Sequence, residues 1–508
     1  MLALLNGLRS DHPLHSKKAR VELLDELKRM SPLPALGELA AYLDAIKTAE
    51  NLSPARALDI IEFVQSTARP LQDQLTSQFI SRPRATKFEQ DRVHSAMHSY
   101  CGQLMEAYRF CLGKYQVGAI GVSHLKPHLA KIIACALDAC ATQIKWTLFR
   151  HGMLSQRFWR EIAELYHVAL SLRLAQTSYT RNGRAESTPE CSFAAALMLP
   201  VSAADALLPA QIELASHIIH RFRAEFQVSS HPESYHFQFD LSRQDPPGRA
   251  RGDHERGANM LYFGPGSAVA KVDEMIQSVE RSASVPRELA SNGNMSATLV
   301  QATLRHLLRY WSTESPRRRW PRCRVTEYVT VVHQFDEVAA GVGGLFLESP
   351  YVSNEEQWIL ENEGANGFGA CVPAPNGFWL TVGSLIGLRR AEGNSWGAGV
   401  VRRIASGATG ERYVGIEMLS HGGAAVTIIA AGLSARHSRL PAQGELCVLL
   451  SAGSAHSGEA TLLMRPGLFS DTEDVVMQAY EHRYLLCPRH LVEQGEGFDV
   501  ARYRIAKL

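Results

Sequence analysis

The sequence lacks paired cysteines. Its nine cysteines stand singly, at positions 101, 111, 135, 140, 191, 323, 371, 447 and 487 of 508 residues. No CxxC occurs and the total is odd, so a disulfide framework is not predicted. We expect a protein of a reducing compartment, the cytoplasm.

Long apolar runs are also missing. No stretch approaches the roughly 20 consecutive apolar residues that a membrane-spanning helix needs. The apolar stretch between Met1 and Pro13 is too short for a signal peptide. The sequence therefore predicts neither a transmembrane segment nor export.

An excess of charge of one sign is the third absence. Lysine and arginine number 53 against 51 acidic residues, which leaves a formal net charge of +2. Bulk charge therefore does not predict a nucleic-acid binder, and any affinity for a nucleotide must come from a local cluster. The length predicts about three domains, each large enough for its own core.

Residues 1–225 have the pattern of a helical domain. Ser53-Pro54 is a helix cap followed by proline, and Leu58, Ile61 and Val64 then recur at helical spacing. Similar runs cover about 20–30, 34–49, 86–115, 124–150 and 203–225, and Ser155 opens another helix. Paired carboxylates, a nucleophile elbow and metal-ligand spacing are all missing here, so an enzyme is not expected. A deep polar pocket with convergent titratable groups would reopen that possibility.

The remaining sequence changes character twice. Residues 226–316 predict a small α+β domain: a strand in which Phe237 and Phe239 alternate with polar residues, then two amphipathic helices. From 317 onward the period is mostly two, with frequent glycine and proline, as in Phe378–Val382 and Val414–Met418. This pattern predicts an antiparallel β-barrel over 317–420 and a β-rich extension over 421–508. No internal repeat is visible.

Two short segments carry the chemistry. Arg317-Arg318-Arg319-Trp320-Pro321-Arg322-Cys323-Arg324 holds five arginines and no acid. Arginine presents a planar fork of donors that matches phosphate oxygens and stacks on bases. The glycine-containing turn Asn362-Glu363-Gly364-Ala365-Asn366-Gly367 would bring backbone N–H groups close to a ligand. Together the segments predict a clamp for a phosphate and a purine, with no metal and no cofactor.

These segments resemble the two motifs of PilZ domains. Arg318 and Arg322 match the spacing R-x-x-x-R, and Asn362 to Gly367 resembles D/N-x-S-x-x-G. The resemblance covers roughly 315–420, including the later strand-like segments through Glu417. PilZ domains are six-stranded β-barrels that bind cyclic di-GMP, a bacterial second messenger. The resemblance thus implies that fold and that ligand for this part of the chain.

The resemblance also implies roles for particular residues. Arg318 and Arg322 would contact phosphates and guanine faces, with Arg317 assisting, and Asn362 would bond a guanine edge. The turn to Gly367 would admit the ligand closely. Gly364 stands where the family has serine, so one hydroxyl contact would be missing, at a cost of about 1 kcal/mol. The gap between the motifs is long, which predicts an insertion within Asp336–Asn354.

The resulting hypothesis is a cyclic di-GMP-binding regulator, not an enzyme. Its barrel would sense the ligand and signal to the flanking domains through Tyr310–Pro316, and the helical domain would hold a protein partner. The alternative is a degenerate PilZ-like scaffold in which the arginines grip an acidic protein and no nucleotide binds. The missing serine at position 364 favours this alternative.

Overall fold

The computed structural model describes the chain between His12 and Ala506, with internal gaps. The residues outside the description are 1–11, 50–51, 82–86, 182–183, 232–235, 251–256, 258, 283, 287–288, 290–294, 315–320, 346–354, 374–378, 392, 394, 408, 432–439, 442–443, 451–457, 480–481, 496 and 507–508. The chain forms two compact units, Met1–Arg317 and Arg318–Leu508.

Long helices build the first part of the N-terminal unit, as the sequence predicts. They are α1 (Lys17–Leu27), α2 (Pro32–Thr48), α3 (Pro54–Ser81), α4 (Lys87–Gln116), α5 (Leu129–Leu148), α6 (Gln156–Ser171), α7 (Pro189–Val201) and α8 (Pro209–Arg221). Leu58, Ile61 and Val64 are buried on α3, and Ser155 directly precedes α6. The apolar stripes of these helices join one hydrophobic core.

Helix α7 has no counterpart among the predicted helices. Every residue from Phe193 to Leu199 is buried, so the segment is apolar on all faces and shows no helical stripe. Thr188 caps α7 by accepting a hydrogen bond from the backbone N–H of Cys191. The connector that precedes it forms a hairpin of β1 (Tyr179–Arg181) and β2 (Arg184–Ser187).

A small antiparallel sheet follows, with strand order β3-β6-β4-β5. Its strands are β3 (Gln227–Ser229), β4 (Phe237–Asp240), β5 (Gly248–Arg249) and β6 (Met260–Gly264), and two helices follow, α9 (Ala268–Ser282) and α10 (Ala297–Trp311). Phe237 and Phe239 are buried, which confirms the predicted half-buried strand. The Trp311 Nε1–H donates a hydrogen bond of 2.8 Å to Ser202 Oγ, just after α7.

The C-terminal unit begins with a closed antiparallel barrel. Its strands are β7 (Cys323–Val332), β8 (Glu356–Gly364), β9 (Gly367–Val372), β10 (Leu385–Arg390), β11 (Trp396–Ser406) and β12 (Arg412–Ser420), in the order β10-β11-β12-β9-β8-β7. The insertion predicted between the two motifs contains a helix, α11 (Phe335–Val342). Residues 346–354, the last part of that interval, lie outside the described residues.

One predicted strand of this barrel is wrong where the structure describes it. Residues 379–384 form a loop instead, because Gly383 has a positive φ of 89° and Ser384 Oγ both accepts from the Thr381 N–H and donates to Trp379 O. These bonds hold a turn, and β10 begins only at Leu385. Phe378 lies outside the described residues.

The last part of the chain closes into a second barrel. Its strands are β13 (Gly423–Ala430), β14 (Glu445–Leu450), β15 (Glu459–Met464), β16 (Val475–Ala479), β17 (His482–Gln494) and β18 (Asp499–Ala506). The strand connectivity is identical in the two barrels: the first three strands pair in sequence, the third pairs with the sixth, and the fourth closes on the first. The C-terminal unit is therefore a topological repeat, which the sequence did not reveal.

Helix α11 ties the two barrels together. Val338, Ala339 and Val342 share one buried cluster with side chains of both barrels, among them Val400 and Val448. The backbone N–H of Ala425 donates a hydrogen bond of 3.2 Å to the carbonyl oxygen of Gly343, at the end of α11. Each barrel keeps a core of its own, and this third cluster packs the two barrels against each other.

Candidate functional site

The hairpin between β8 and β9 forms one rim of the first barrel. Gly364 and Gly367 pair across it, which leaves Ala365 and Asn366 as a two-residue turn. Gly367 must be glycine, because a Cβ there would lie 2.1 Å from the carbonyl oxygen of Ile416. The Asn366 carbonyl oxygen accepts a hydrogen bond of 3.0 Å from the backbone N–H of Met418, so the turn is fastened to β12.

The side chain of Asn362 occupies space left by a second glycine, Gly369. Asn362 on β8 pairs with Gly369 on β9. A Cβ at Gly369 would lie 2.4 Å from Asn362 Nδ2 and 2.6 Å from Asn362 Oδ1. The absence of a side chain at position 369 thus leaves the room that the Asn362 amide occupies.

Arg322 reaches this amide from the arginine segment. The Arg322 Nη1–H donates a hydrogen bond of 2.7 Å to Asn362 Oδ1. Arg322 directly precedes β7, and β7 pairs with β8 so that Cys323 faces Glu363 and Arg324 faces Asn362. The antiparallel register therefore brings the two sequence segments together. Arg317 and Arg318 lie outside the described residues.

Gly364 lies beside the aliphatic part of Arg322. A Cβ at Gly364 would be 3.3 Å from Arg322 Cγ and 3.6 Å from the carbonyl oxygen of Pro321. The position at which the family has serine thus faces the arginine segment, and a side chain there needs a shift of only a few tenths of an ångström.

Arg390 is a further cation at this rim, and sequence reasoning missed it. Its Nη2 lies 2.6 Å from Glu363 Oε2, and its guanidinium carbon lies 5.4 Å from the centre of the Phe368 ring. The hydrogen bond to Glu363 raises the pKa of Arg390 above its ordinary value. Two adjacent arginines, Arg389 and Arg390, at the end of an apolar strand were the sequence pattern that could have indicated it.

The rim presents groups that suit an anion and a heterocycle. Arg322 and Arg324 are exposed, and Asn362 supplies an amide at their base. A guanidinium offers parallel donors to phosphate oxygens, and an amide offers a donor and an acceptor to a base edge. Glu363 lies on the same hairpin, but its charge is already paired with Arg390. The arrangement therefore suits a ligand with both phosphate and heterocycle.

Two tryptophans of the first barrel are buried, Trp358 in that barrel's own core and Trp396 in the cluster shared with the second barrel. Trp358 is 0% exposed and Trp396 is 5% exposed. The Trp358 Nε1–H and the Trp379 Nε1–H donate to opposite oxygens of the buried Glu356, at 2.9 Å and 2.8 Å. Trp358 and Trp396 thus belong to the interior, and neither indole is presented to the rim as a stacking surface.

Other kinds of site were sought in the described part of the chain. There, no cluster of three or more histidine, cysteine or acidic side chains could hold a metal ion. None of the helices within the described ranges is long and apolar enough to cross a bilayer.

Comparison with known families gives a match on the helical part of the chain. Residues 18–233 match the family model described as "Cyclic-di-GMP receptor FimW, N-terminal domain". The matched segment runs from the second residue of α1 through α8 and is less than half of the chain. No curated protein matches the chain. The match supports a likeness to a receptor family on the helical region, whereas the PilZ resemblance of 315–420 stays a prediction.

Proposed function

We propose that this protein is a cyclic di-GMP-binding regulator whose first barrel holds the ligand at the rim around Arg322 and Asn362. The hydrogen bond between these residues carries the proposal, because it joins two motifs that the sequence suggested independently. The family match adds support from another part of the chain, since that family is described as a cyclic-di-GMP receptor. We propose a regulatory role and no catalysis.

In this proposal Arg322 and Arg318 bind the phosphates and cover the guanine faces, and Arg317 assists. Asn362 bonds a guanine edge, while the bare backbone at Gly364 and Gly367 allows the ligand to approach the hairpin. Hydrogen bonds to charged groups contribute about 1.5–3 kcal/mol each. A few of them would supply the roughly −8 kcal/mol of micromolar binding.

The contact between Arg322 and Asn362 favours this role because it orients both side chains before a ligand arrives. The bond from Arg322 Nη1–H to Asn362 Oδ1 fixes the orientation of the guanidinium. An arginine already held in place loses less rotamer entropy on binding. The pairing of Glu363 with Arg390 also reduces repulsion between that carboxylate and a phosphate.

The ligand would act on the rest of the chain through the arginine segment. Residues 312–322 join α10 to β7, and α10 ends at a fixed point, because Arg249 Nη1 donates to the Ser312 carbonyl oxygen at 2.9 Å. Binding at Arg317, Arg318 and Arg322 would shift the population of conformations of this connection. The helical region, which carries the family match, would then be the output part and the place of a protein partner.

A calorimetric titration of the full chain with cyclic di-GMP tests the proposal. We expect saturable binding, and its loss in the double variant Arg318→Ala/Arg322→Ala. Arg483→Ala is the matched control, because Arg483 is an exposed arginine on β17 of the second barrel. Absence of heat and of a thermal shift at about 100 μM ligand would overturn the proposal.

The same titration separates the second candidate, a scaffold that binds a protein through its arginines. The glycine at position 364 favours that candidate, because PilZ domains have a serine hydroxyl at the corresponding place and this chain has none. A scaffold would show no response to the nucleotide. Binding that survives the double variant unchanged would place the nucleotide elsewhere on the chain.

A further inference from the structure

The N-terminal unit contains a polar cavity that the proposed function does not use. The cavity lies among α3, α5 and α8 and has a volume of about 590 Å³. Ligand-binding cavities in proteins commonly measure about 300–1,000 Å³. Its size therefore suits a small molecule.

Three helices direct polar stripes into this cavity. Glu213, Ser216, His217 and His220 follow one face of α8, at spacings of three and four residues. Asp138, Thr142 and Lys145 do the same on α5, as do Gln65, Arg69, Gln72 and Thr76 on α3. A surface helix usually turns such a stripe to bulk water. Here the stripes meet around one concave space.

Two ion pairs stand in the cavity wall. Lys145 Nζ lies 2.7 Å from Glu213 Oε2, and each side chain is 13% exposed. Arg223 Nη1 lies 3.6 Å from Asp138 Oδ2, with exposures of 16% and 15%. Withdrawing charges from water costs free energy that an ion pair recovers only in part. Sheltered pairs that line an open cavity are therefore better explained by a ligand than by stability.

The charges of the wall are balanced. Arg69, Lys145 and Arg223 face Asp73, Asp138 and Glu213, so the lining offers both signs equally. The pKa of His217 is lowered, mainly by burial. Glu213 acts to raise this pKa, whereas Lys145 and Arg221 lower it further. The imidazole is therefore neutral near pH 7. A polyanion such as a cyclic dinucleotide would meet as many carboxylates as cations here. A ligand with one group of each charge matches the lining.

A buried donor supports a ligand independently of the charges. Trp146 lines the cavity and is 0% exposed, yet its Nε1–H has no hydrogen-bond partner among the described residues. Buried polar atoms are nearly always bonded, and an indole N–H can only donate. Because this nitrogen has no accessible surface, an acceptor such as a carboxylate or carbonyl oxygen reaches it only when a side chain of the cavity wall moves aside.

We propose that this cavity binds a small zwitterion that carries an ammonium group and a carboxylate, an amino acid or a short peptide. Its carboxylate would lie toward Lys145 and Arg223, and its ammonium group toward Glu213 and Asp138. Trp146 would donate to an oxygen of the ligand. The proposal is one of binding, because four charged groups of the lining form the pairs Lys145–Glu213 and Arg223–Asp138.

The test uses the full chain and defined probes. Glycine, lysine, glutamate and the dipeptides of lysine and glutamate are added singly at about 10 mM, and the thermal midpoint of the N-terminal unit is measured. We expect at least one probe to raise it. Ser216→Phe fills the cavity without replacing a charged residue. It should lower the affinity for that probe at least about tenfold. Ser278→Phe, at an exposed serine on α9, is the control and should bind as the native chain does.

Trp146→Phe keeps the ring and removes only the donor, and it tests the site even if Ser216→Phe fails to fold. This variant should lower the affinity for the probe several-fold, whereas the affinity for cyclic di-GMP at the first barrel should not change. The proposal is wrong if no probe shifts the midpoint, or if both cavity variants bind with native affinity. Either result leaves the cyclic di-GMP proposal standing, because that ligand is titrated separately.

Discussion

Arg322 donates a 2.7 Å hydrogen bond to Asn362, 40 residues away along the chain. The bond exists because β7 and β8 pair in antiparallel register, which places the end of the arginine segment beside the glycine hairpin. The proposed ligand site therefore depends on the barrel as a whole, since a change in this register would separate its two halves.

The first prediction concerns the guanidinium of Arg322. Arg322→Lys keeps the charge but replaces a planar fork with a single ammonium group, which cannot bond Asn362 and a phosphate in the same geometry. We expect cyclic di-GMP to bind at least about tenfold more weakly, a loss of about 1.4 kcal/mol. Calorimetry measures the loss, with Arg483→Lys as the control. Native affinity in Arg322→Lys would remove the fork from the proposed mechanism.

The second prediction concerns the space that Gly369 leaves for Asn362. In Gly369→Ala the added Cβ would overlap the amide, which lies 2.4 Å away, so Asn362 must turn from its present position. Ligand binding should weaken while the barrel stays folded. Gly415→Ala is a matched control, because Gly415 pairs with Gly369 across β9 and β12 and its Cβ would meet Arg403 at ordinary contact distances, 3.5 Å to Cβ and 3.9 Å to Cγ. Equal affinity in the two variants would contradict the proposed role of Asn362.

The third prediction concerns the serine hydroxyl of the PilZ motif, which Gly364 lacks. Gly364→Ser would place a side chain beside Arg322, with its Cβ 3.3 Å from Arg322 Cγ. One added hydrogen bond contributes about 1 kcal/mol, so binding should tighten about fivefold. Gly364→Ala has the same Cβ without the hydroxyl and separates packing from bonding. If serine binds no more tightly than alanine, no ligand acceptor lies near position 364.

The fourth prediction is a loss of stability in acid that originates at His94. Its burial, with a smaller effect of Arg150, lowers the pKa of His94 from 6.5 to about 4, and its Nε2 lies 2.7 Å from the Trp146 carbonyl oxygen. The folded state thus holds the neutral form, while the unfolded chain takes up a proton below pH 6.5. The stabilisation is complete above that pH and is lost as the pH falls toward about 4.

Urea unfolding at a series of pH values measures this effect. The contribution of His94 is up to about 3 kcal/mol over that interval. His94→Gln should flatten the dependence, and His167→Gln, at an exposed histidine on α6, should leave it unchanged. A native slope in His94→Gln would assign the acid sensitivity to other groups.

The fifth prediction concerns the ion pair that links the barrels. Arg402 Nη1 and Nη2 lie 2.6 Å and 2.7 Å from the two oxygens of Glu493, whereas Arg402 Nε contacts Glu417 within its own barrel. Glu493 is 21% exposed and Glu417 is 54% exposed. Glu493→Gln should lower the free energy of unfolding by about 1–2 kcal/mol, and Glu417→Gln by less than about 0.5 kcal/mol. Equal losses would mean that the pairing between barrels adds no stability.

Periodicity was enough to predict most of the architecture. Amphipathic stripes such as Leu58, Ile61 and Val64 indicate a helix because only one face of α3 meets the core. Alternation such as Val414 and Ile416 likewise indicates a strand of the first barrel, where both residues are buried. The fold class is confirmed in these terms: helices, then a small sheet, then an antiparallel barrel with further strands.

Other features depend on packing that a local pattern does not record. Helix α7 is buried on every side, so it has no stripe to recognise. The second barrel repeats the connectivity of the first with different residues, because a topology constrains burial and not identity. The cavity of the N-terminal unit arises only where α3, α5 and α8 meet. The proximity of Arg322 and Asn362 was predicted because the resemblance to PilZ domains indicated it. No resemblance indicated that Arg390 lies at the same rim.

Helix α11 belongs by sequence to the first barrel, yet Val342 packs into the cluster that contains Val448 and Phe498 of the second. Gly343, which follows the helix, also fits tightly, because a Cβ there would lie 2.8 Å from the Cβ of Ala425. Cutting the chain after Ser420 would remove the residues that pack against this helix. The apolar face left exposed would promote aggregation. A fragment of that kind would precipitate during purification, and its failure to bind a nucleotide would say nothing about the intact chain.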